Sequence, residues 1–386
     1  MSYLNYLPDL QSGPRTIVVG MSGGVDSSVA ALLLKQQGHN VIGLFMKNWQ
    51  DMPGPQSEEE GRKGCNAEED FEDVARVCDK IGIPYYSIEF VKEYWDNVFS
   101  DFLKEIEMGL TPNPDILCNR EIKFKSFYQK ARELGAEFVA TGHYCQHFAQ
   151  GESHSLGKGL DAGKDQTYFL YTMQAEILKN VLFPIGHLQK SKVRDLAREY
   201  GLATSDKKDS TGICFIGERK FNSFLSTYLA PKEGEFHNLK GECVGTHHGQ
   251  QFFTIGQRKG LGLGGQGAAW FVLEKIPEKN IVIVERGEEH PALFTHSLQA
   301  RQASWVSGRA PESFPFACRA KIRYRQQDQE CIIQGVHEGI LSVSFPQAQR
   351  AVTLGQSVVF YQDSICLGGA FISQRGPSLY DLTRKD

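Results

Sequence analysis

The segment Ser22-Gly23-Gly24-Val25-Asp26-Ser27 stands directly after the apolar run Ile17-Val18-Val19-Gly20-Met21 and directly before Ser28-Val29-Ala30-Ala31-Leu32-Leu33-Leu34. A buried strand, a tight glycine turn and a helix start follow one another without a spare residue, which restricts the chain to an α/β arrangement at this point. Gly23 and Gly24 are expected to supply positive φ and close backbone approach, where a side chain would obstruct. Several backbone N–H groups and the positive end of the helix dipole then converge on one spot, the physical recipe for a phosphate site. Ser22 and Ser27 add hydroxyl donors. The loop differs from G-x-x-x-x-G-K-[ST], because the required lysine is absent.

The first half of the chain repeats this alternation. After the strand at 16–21, the pattern predicts a helix over 27–37 ended by Gly38, then a strand over 41–46. A Gly-, Pro- and Glu-rich insertion over 50–64 precedes a helix over 67–81 and a strand over 85–90. Helices over 91–107 and 120–134 and a strand over 138–141 complete the series. Strands alternating with helices indicate a doubly wound parallel sheet, whose ligand sits beyond the carboxyl ends of the strands. Both Ser22–Ser27 and Gly142-His143-Tyr144 fall on that edge. Residues 176–229 read as mostly helical, and from about 234 short alternating strands and many glycines take over. The expected division is a catalytic α/β domain over 1–217, a small β-rich central domain over 218–289 and a C-terminal β-barrel-like domain over 290–386.

Composition limits the classes further. With 41% hydrophobic and 23% charged residues, the 386-residue chain can bury ordinary globular cores. No apolar run reaches the roughly 18 residues of a membrane helix, and Met1 to Gln11 lacks the basic start and apolar core of a secretory leader. The net charge of −4 gives no global attraction to nucleic acid, so an RNA site would need a local basic patch. Nine cysteines include no C-x-x-C pair, which disfavours a zinc ribbon and an iron–sulfur cluster. His247-His248 lacks partners at metal spacing, so no metal site is expected there. A reducing, cytoplasmic setting fits this cysteine usage.

Other constellations carry chemistry. In Thr111-Pro112-Asn113-Pro114-Asp115-Ile116-Leu117-Cys118-Asn119, the two prolines predict an extended, stiff loop from which Asn113, Asp115, Cys118 and Asn119 project before the helix at 120. A cysteine near a helix N-terminus has its thiolate favoured. In Lys207-Lys208-Asp209-Ser210-Thr211-Gly212-Ile213-Cys214, a second cysteine follows two lysines, which favour its thiolate in the same way. Cys118 and Cys214 together are compatible with sulfur handling, and equally with two core positions. Lys164, Asp165 and Gln166 stand before Tyr168 and Phe169, as phosphate contacts or as a helix cap. Arg319-Ala320-Lys321-Ile322-Arg323-Tyr324-Arg325 alternates, so its four cations can share one strand face, open to RNA or to solvent. Thr254-Ile255-Gly256-Gln257-Arg258-Lys259-Gly260-Leu261-Gly262 is a second basic, glycine-rich turn with the same two readings.

Taken together, Gly20–Ser27, Asn113–Asn119, Thr141–Tyr144, Gly163–Leu170, Pro184–Leu188, Lys208–Gly217, Phe253–Gly262, Arg323-Tyr324-Arg325-Gln326 and Leu354-Gly355-Gln356 resemble the bacterial tRNA-specific 2-thiouridylases, members of the pyrophosphate-loop ATP pyrophosphatases. The resemblance implies a sulfurtransferase that uses ATP and Mg²⁺ to activate O2 of a wobble uridine as an adenylate and then exchanges that oxygen for a persulfide sulfur. By the same resemblance, Gly20, Met21, Ser22, Gly23, Gly24, Val25, Asp26 and Ser27 hold the nucleotide phosphates, and Met46 and Gly142 contact the nucleoside. Cys214 carries the persulfide, while Cys118 closes a transient disulfide or releases sulfide. Asn113, Pro114 and Asp115 face the target base, with Asp115 a candidate acid/base. His143, Lys164, Asp165, Gln166, Arg323, Tyr324 and Gln356 are expected to contact tRNA, and the central domain over 218–289 to bind it. A persulfide-donating protein is the second implied partner.

Overall fold

A computed structural model describes residues 13–50, 67–209 and 221–384. Cys214, most of the expected insertion at 50–64 and the expected domain boundary at 217 lie outside the described residues.

The first half is a parallel sheet with helices on both faces. Strand β1 (Thr16–Met21) leads into helix α1 (Val25–Gln36), followed by β2 (Asn40–Lys47), α2 (Ala67–Ile81) and β3 (Tyr85–Glu89). Further on come β4 (Phe138–Thr141), a hairpin of β5 (Cys145–Gln150) and β6 (Ser153–Lys158), and β7 (Val181–Leu182). The strand order is β3-β2-β1-β4-β7, every pairing parallel. Ile17, Val18 and Val19 are each fully buried because β1 is covered on both sides. Ile17, Val19 and Met21 pack with α1 and α2, whereas Val18 packs on the opposite face with Leu44 and Val139. That alternation is the strand period of two realised inside a doubly covered sheet.

Two expectations in this half need correction. The segment before residue 120 is helical, not an extended loop. Helical residues begin at Pro114 and continue through Pro114–Leu117, Cys118–Ser126 and Phe127–Glu133. Asn113 is the N-cap, its side-chain oxygen accepting from the Asp115 N–H at 3.1 Å. A proline at the first helical position forfeits only an N–H that has no intrahelical partner, so Pro114 starts the helix rather than preventing it. Residues 176–229 are also less helical than the pattern suggests. Among the described residues, only Ala175–Leu178, Lys190–Glu199 and Phe221–Leu225 are α-helical there.

The rest is β-rich, as expected. Strands β8 (Gly234–His237), β9 (Cys243–His247), β10 (Trp270–Ile276) and β11 (Ile281–Arg286) form a four-stranded sheet in the order β10-β11-β8-β9. Strands β12 (Phe294–Trp305), β13 (Phe316–Lys321), β14 (Gln329–His337), β15 (Ile340–Arg350), β16 (Ser357–Gln362) and β17 (Ile365–Arg375) follow. They run in the order β12-β15-β14-β13-β16-β17, and the β12–β17 pairing closes the barrel. The β5–β6 hairpin of the first half joins this barrel, with Leu156 opposite Cys366 and Gly157 opposite Ile365.

A strand carrying all four cations from Arg319 to Arg325 is not what forms. Strand β13 ends at Lys321, and Arg325 has a positive φ of 65°. The Gln326 side chain accepts from the Ile322 N–H at 2.8 Å, folding the chain back into a turn before the alternation can continue. No helix among the described residues is long and apolar enough to cross a membrane.

Candidate functional site

The site grows from the turn between β1 and α1. Gly23 has φ of +72°, and a Cβ there would lie 2.6 Å from the Asp70 carbonyl oxygen. Glycine is therefore required twice over, by conformation and by space. Gly24 differs from the expectation, with an ordinary φ of −98° as N-cap of α1. The Ser27 hydroxyl accepts from the Ser22 N–H at 3.2 Å and donates to the Gly24 carbonyl at 3.2 Å, and the Ser28 hydroxyl donates to the same carbonyl at 2.8 Å. These bonds hold the turn tightly around the N-terminus of a 12-residue helix, where N–H groups and dipole favour an anion. Gly142, after β4, closes the far wall, since a Cβ on it would meet the Ser27 nitrogen at 2.7 Å. Gly20 lies under the Phe127 ring, and Met46 is half-buried at the end of β2.

A charged network backs the loop. Both Asp26 carboxylate oxygens accept from Lys190 Nζ, at 2.7 and 2.8 Å, and one also accepts from the Tyr144 hydroxyl at 2.7 Å. Burial, with the Asp26 charge adding to it, pushes the Tyr144 hydroxyl well above its ordinary range, so it stays a proton donor. Lys190 also pairs with Asp209 at 2.9 Å, and Asp209 takes Lys164 at 2.6 Å and Arg194 at 2.7 Å. Burial would raise the Asp209 carboxyl, but hydrogen bonds from Lys164 and Lys190 outweigh it and hold the group at about 2. Lys207 pairs with Asp70 and Asp73 at 2.6 and 2.5 Å, which fastens the chain just before Asp209 to α2. Sequence reading singled out neither Lys190 nor Arg194, because a lysine opening a helix carries no local mark of what it will meet.

The second cluster is the helix that starts at Pro114. Cys118 lies one turn in and is 2% exposed, packed with Phe99, Ile122 and Phe127. Asn119 is buried as well, its amide donating to the Phe169 carbonyl at 3.2 Å. The barrel grips the approach to this helix. Gln356 donates to the Thr111 carbonyl at 2.6 Å, Thr111 donates its N–H to Leu354, and Gly355 has no room for a Cβ against Leu110 and Thr111.

Most of the other singled-out polar residues are engaged inside the protein. His143 is buried with Nδ1 2.8 Å from the Thr141 hydroxyl, and burial, helped by the Lys123 charge, pushes its pKa well down, leaving it neutral. Asp165 is 6% exposed and accepts from the Thr167 hydroxyl at 2.9 Å and from Lys321 at 3.2 Å. Gln166 accepts from the Tyr144 N–H at 2.9 Å. Arg323 donates to the Ile255 and Ala351 carbonyls at 2.9 and 2.7 Å, and so joins the central sheet to the barrel. The Tyr324 ring packs 4.4 Å from Phe169. Cys214 lies outside the described residues, so no distance to Cys118 is stated.

Comparison with known proteins covers nearly the whole chain. Residues 15–218 match a family described as "tRNA methyl transferase HUP domain", residues 222–286 a "tRNA methyl transferase PRC-barrel domain" and residues 295–372 an "Aminomethyltransferase beta-barrel domain". The "tRNA-specific 2-thiouridylase MnmA" of Protochlamydia amoebophila (strain UWE25) is 57% identical over 369 residues, 95% of this chain and 96% of the relative. The protein of the same name from Francisella tularensis subsp. holarctica (strain FTNF002-00 / FTA) is 54% identical, over 93% of this chain and 99% of its own length. A solved "4-thiouridine synthetase - RNA complex with bound ATP" is 17% identical with a TM-score of 0.32, covering 55% of this chain and 49% of that one.

Proposed function

Because this chain belongs to the tRNA-specific 2-thiouridylase family, a family of tRNA sulfurtransferases, we propose that it adenylates O2 of a wobble uridine with ATP and replaces that oxygen with sulfur from a cysteine persulfide. The observation that carries the reading is the turn from Ser22 to Ser27. It is braced by Gly23 against α2 and by Gly142 against Ser27, at the carboxyl edge of a parallel sheet.

In the first step, uracil O2 attacks the α-phosphorus of ATP and pyrophosphate leaves. Gly20 to Ser27 hold the phosphates through backbone N–H groups and the α1 dipole, with Met46 and Gly142 beside the nucleoside. Mg²⁺ would come with ATP, held by its phosphates and not by Asp26, both of whose oxygens are taken by Lys190, and would neutralise charge on the departing pyrophosphate.

In the second step, the terminal sulfur of a persulfide on Cys214 attacks C2, and the C2–O2 bond breaks to release AMP with the original oxygen. Two routes then free the product. Cys118 thiolate attacks Cys214 Sγ, cleaving its bond to the transferred sulfur and leaving a Cys118–Cys214 disulfide for an external dithiol to reduce. Alternatively, sulfide freed by Cys118 from the persulfide is the attacking species, again with disulfide formation. Asn113 to Asp115 would face the base, with Asp115 able to shuttle its proton. His143, Lys164, Asp165, Gln166, Arg323, Tyr324 and Gln356 belong to the same tRNA-facing reading, the buried ones acting by shaping the surface. A soluble persulfide-bearing protein is the proposed sulfur source. The three proposed domains remain 1–217, 218–289 and 290–386.

Mass analysis of tRNA nucleosides after incubation with ATP, Mg²⁺ and a persulfide source tests this directly. The reading expects 2-thiouridine and an equal amount of AMP from wild type. Cys214→Ser should form none while still binding tRNA, and full thiolation by that variant would overturn the proposed chemistry.

A further inference from the structure

The four-stranded sheet gathers three metal-ligating side chains at one point of its outer face. Strand β8 lies between β11 and β9, and its Phe236 is fully buried against His247 and Phe253. Glu235 and His237 therefore share the opposite face, by the strand period of two. Cys243 opens β9 directly opposite His237, because the pairing shifts by one residue between Phe236 and His237. Without that shift, Val244 would stand there instead. A Glu235 carboxylate oxygen, a His237 ring nitrogen and the Cys243 sulfur all lie within 4.8 Å of one another. Among the described residues, this is the only such group of three that could hold a metal ion.

The donors suit one class of ligand. Thiolate, imidazole and carboxylate together are the ligands of zinc and its borderline relatives, whereas Mg²⁺ and Ca²⁺ take oxygen alone. Tetrahedral bonds of about 2.0–2.3 Å set neighbouring donors about 3.3–3.8 Å apart. Small rotations of the exposed Glu235 and Cys243 side chains close that gap. The His237 ring is already oriented, its Nε2 2.6 Å from a Glu235 carboxylate oxygen. The Cys243 thiol donates weakly to the Gly245 carbonyl at 3.5 Å, a contact easily given up. The turn between the ligands is rigid. Asn238 Oδ1 accepts from the Lys240 and Glu242 N–H groups at 3.0 and 2.9 Å, and the Asn238 amide donates to the Glu242 carboxylate at 2.6 Å. A preformed site loses little entropy when a ligand arrives.

We infer that Glu235, His237 and Cys243 bind a zinc ion, with a fourth position left for water, and that the ion clamps the start of β9 to the end of β8. On binding, the Cys243 thiol gives its proton to solvent and its sulfur takes the metal. The neutral imidazole keeps its single proton on the nitrogen that does not ligate. Carboxylate and thiolate together balance the double positive charge of the ion. The site stands apart from the thiolation chemistry proposed above and does not depend on it.

The test is titration of the full chain with Co²⁺, a visible substitute for zinc, followed by optical absorption. Wild type is compared with Cys243→Ser and with the double variant Glu235→Gln/His237→Asn. These side chains lie on the solvent face, and matching circular dichroism of the metal-free proteins confirms that the variants are folded. Wild type is expected to show a thiolate-to-cobalt charge-transfer band and the visible bands of a tetrahedral ion, all removed by equimolar Zn²⁺. Cys243→Ser should lose the charge-transfer band, and the double variant should bind cobalt at least about tenfold more weakly. Zn²⁺ should also slow alkylation of Cys243 by iodoacetamide at least about tenfold in wild type, and not in the double variant. A charge-transfer band that survives in Cys243→Ser places the metal on another cysteine and overturns the inference. Equal cobalt affinity in wild type and the double variant reduces the site to one exposed thiol and overturns it too, as does a wild type that takes up neither metal.

Discussion

Lys190 Nζ sits 2.7 and 2.8 Å from the two carboxylate oxygens of Asp26, residues that are far apart in sequence and joined only by the fold. The contact clamps the N-terminal turn of α1 from the helix Lys190–Glu199. It also cancels the negative charge of Asp26 where ATP phosphates would have to approach.

Replacing Lys190 with methionine should therefore damage the nucleotide step more than RNA binding. Asp26 and Asp209 would lose a shared cation, at a stability cost of about 1–3 kcal/mol. We expect pyrophosphate release to fall by about tenfold to a hundredfold in kcat/KM for ATP, the range for removing a charge-stabilising contact. tRNA affinity should change less than about twofold. Equal losses in both would show that Lys190 supports the whole fold rather than the loop.

Two glycines with similar backbone angles make a controlled comparison. Gly23 (φ +72°) has the Asp70 carbonyl 2.6 Å from its missing Cβ, whereas Gly38 (φ +86°) has nothing within 4 Å. Gly38→Ala should cost only left-handed strain, about 1–2 kcal/mol, and leave pyrophosphate release intact. Gly23→Ala must displace the loop or α2 as well, and should reduce pyrophosphate release by at least about a hundredfold.

Lys275 offers a pH test. It is half-buried beside the Leu110 carbonyl, and burial lowers its pKa to about 8. Between about 8 and the unfolded value near 10.5, the folded protein binds fewer protons than the unfolded chain, so stability rises with pH through that window. Lys275→Met removes the buried charge. The variant should unfold at higher urea than wild type at pH 7, by up to about 3 kcal/mol, with the gap closing as pH approaches 10.5. A gap that widens with pH would contradict the assigned sign.

Cys118 is 2% exposed, yet the proposed chemistry needs its sulfur to meet a second sulfur and a base. Alkylation by iodoacetamide, located by peptide mass, should be slow at Cys118 in the free protein and at least about tenfold faster once tRNA and ATP are bound. Exposed Cys243 should react at the same rate in both states and serves as the internal reference.

Local order carried much of this protein into its sequence. The strand, glycine turn and helix from Thr16 to Gln36 lie where residue pattern alone puts them, as do α2 over Ala67–Ile81 and the shift to β structure after residue 234. Those features depend on near neighbours: apolar period, glycine φ and the rule that a covered parallel strand is apolar throughout. The helix start at Pro114 is equally local, yet the same two prolines also read as an extended loop, because a proline stops a helix from within and opens one at its first position.

What the tertiary structure alone decided involves partners distant along the chain. Arg323 reads as a strand cation open to RNA or to solvent; in the fold it is half-buried and donates to the Ile255 and Ala351 carbonyls, tying two domains together. The β5–β6 hairpin, written in the first half, pairs onto β17 of the C-terminal barrel at Leu156 and Cys366. Lys190 finds Asp26, and Gln356 finds Thr111, through sheet order and barrel closure. Composition and periodicity encode how a segment bends and which face it buries. Which carbonyl or carboxylate finally lies opposite a given cation is set by the packing of whole domains, and no local pattern records that.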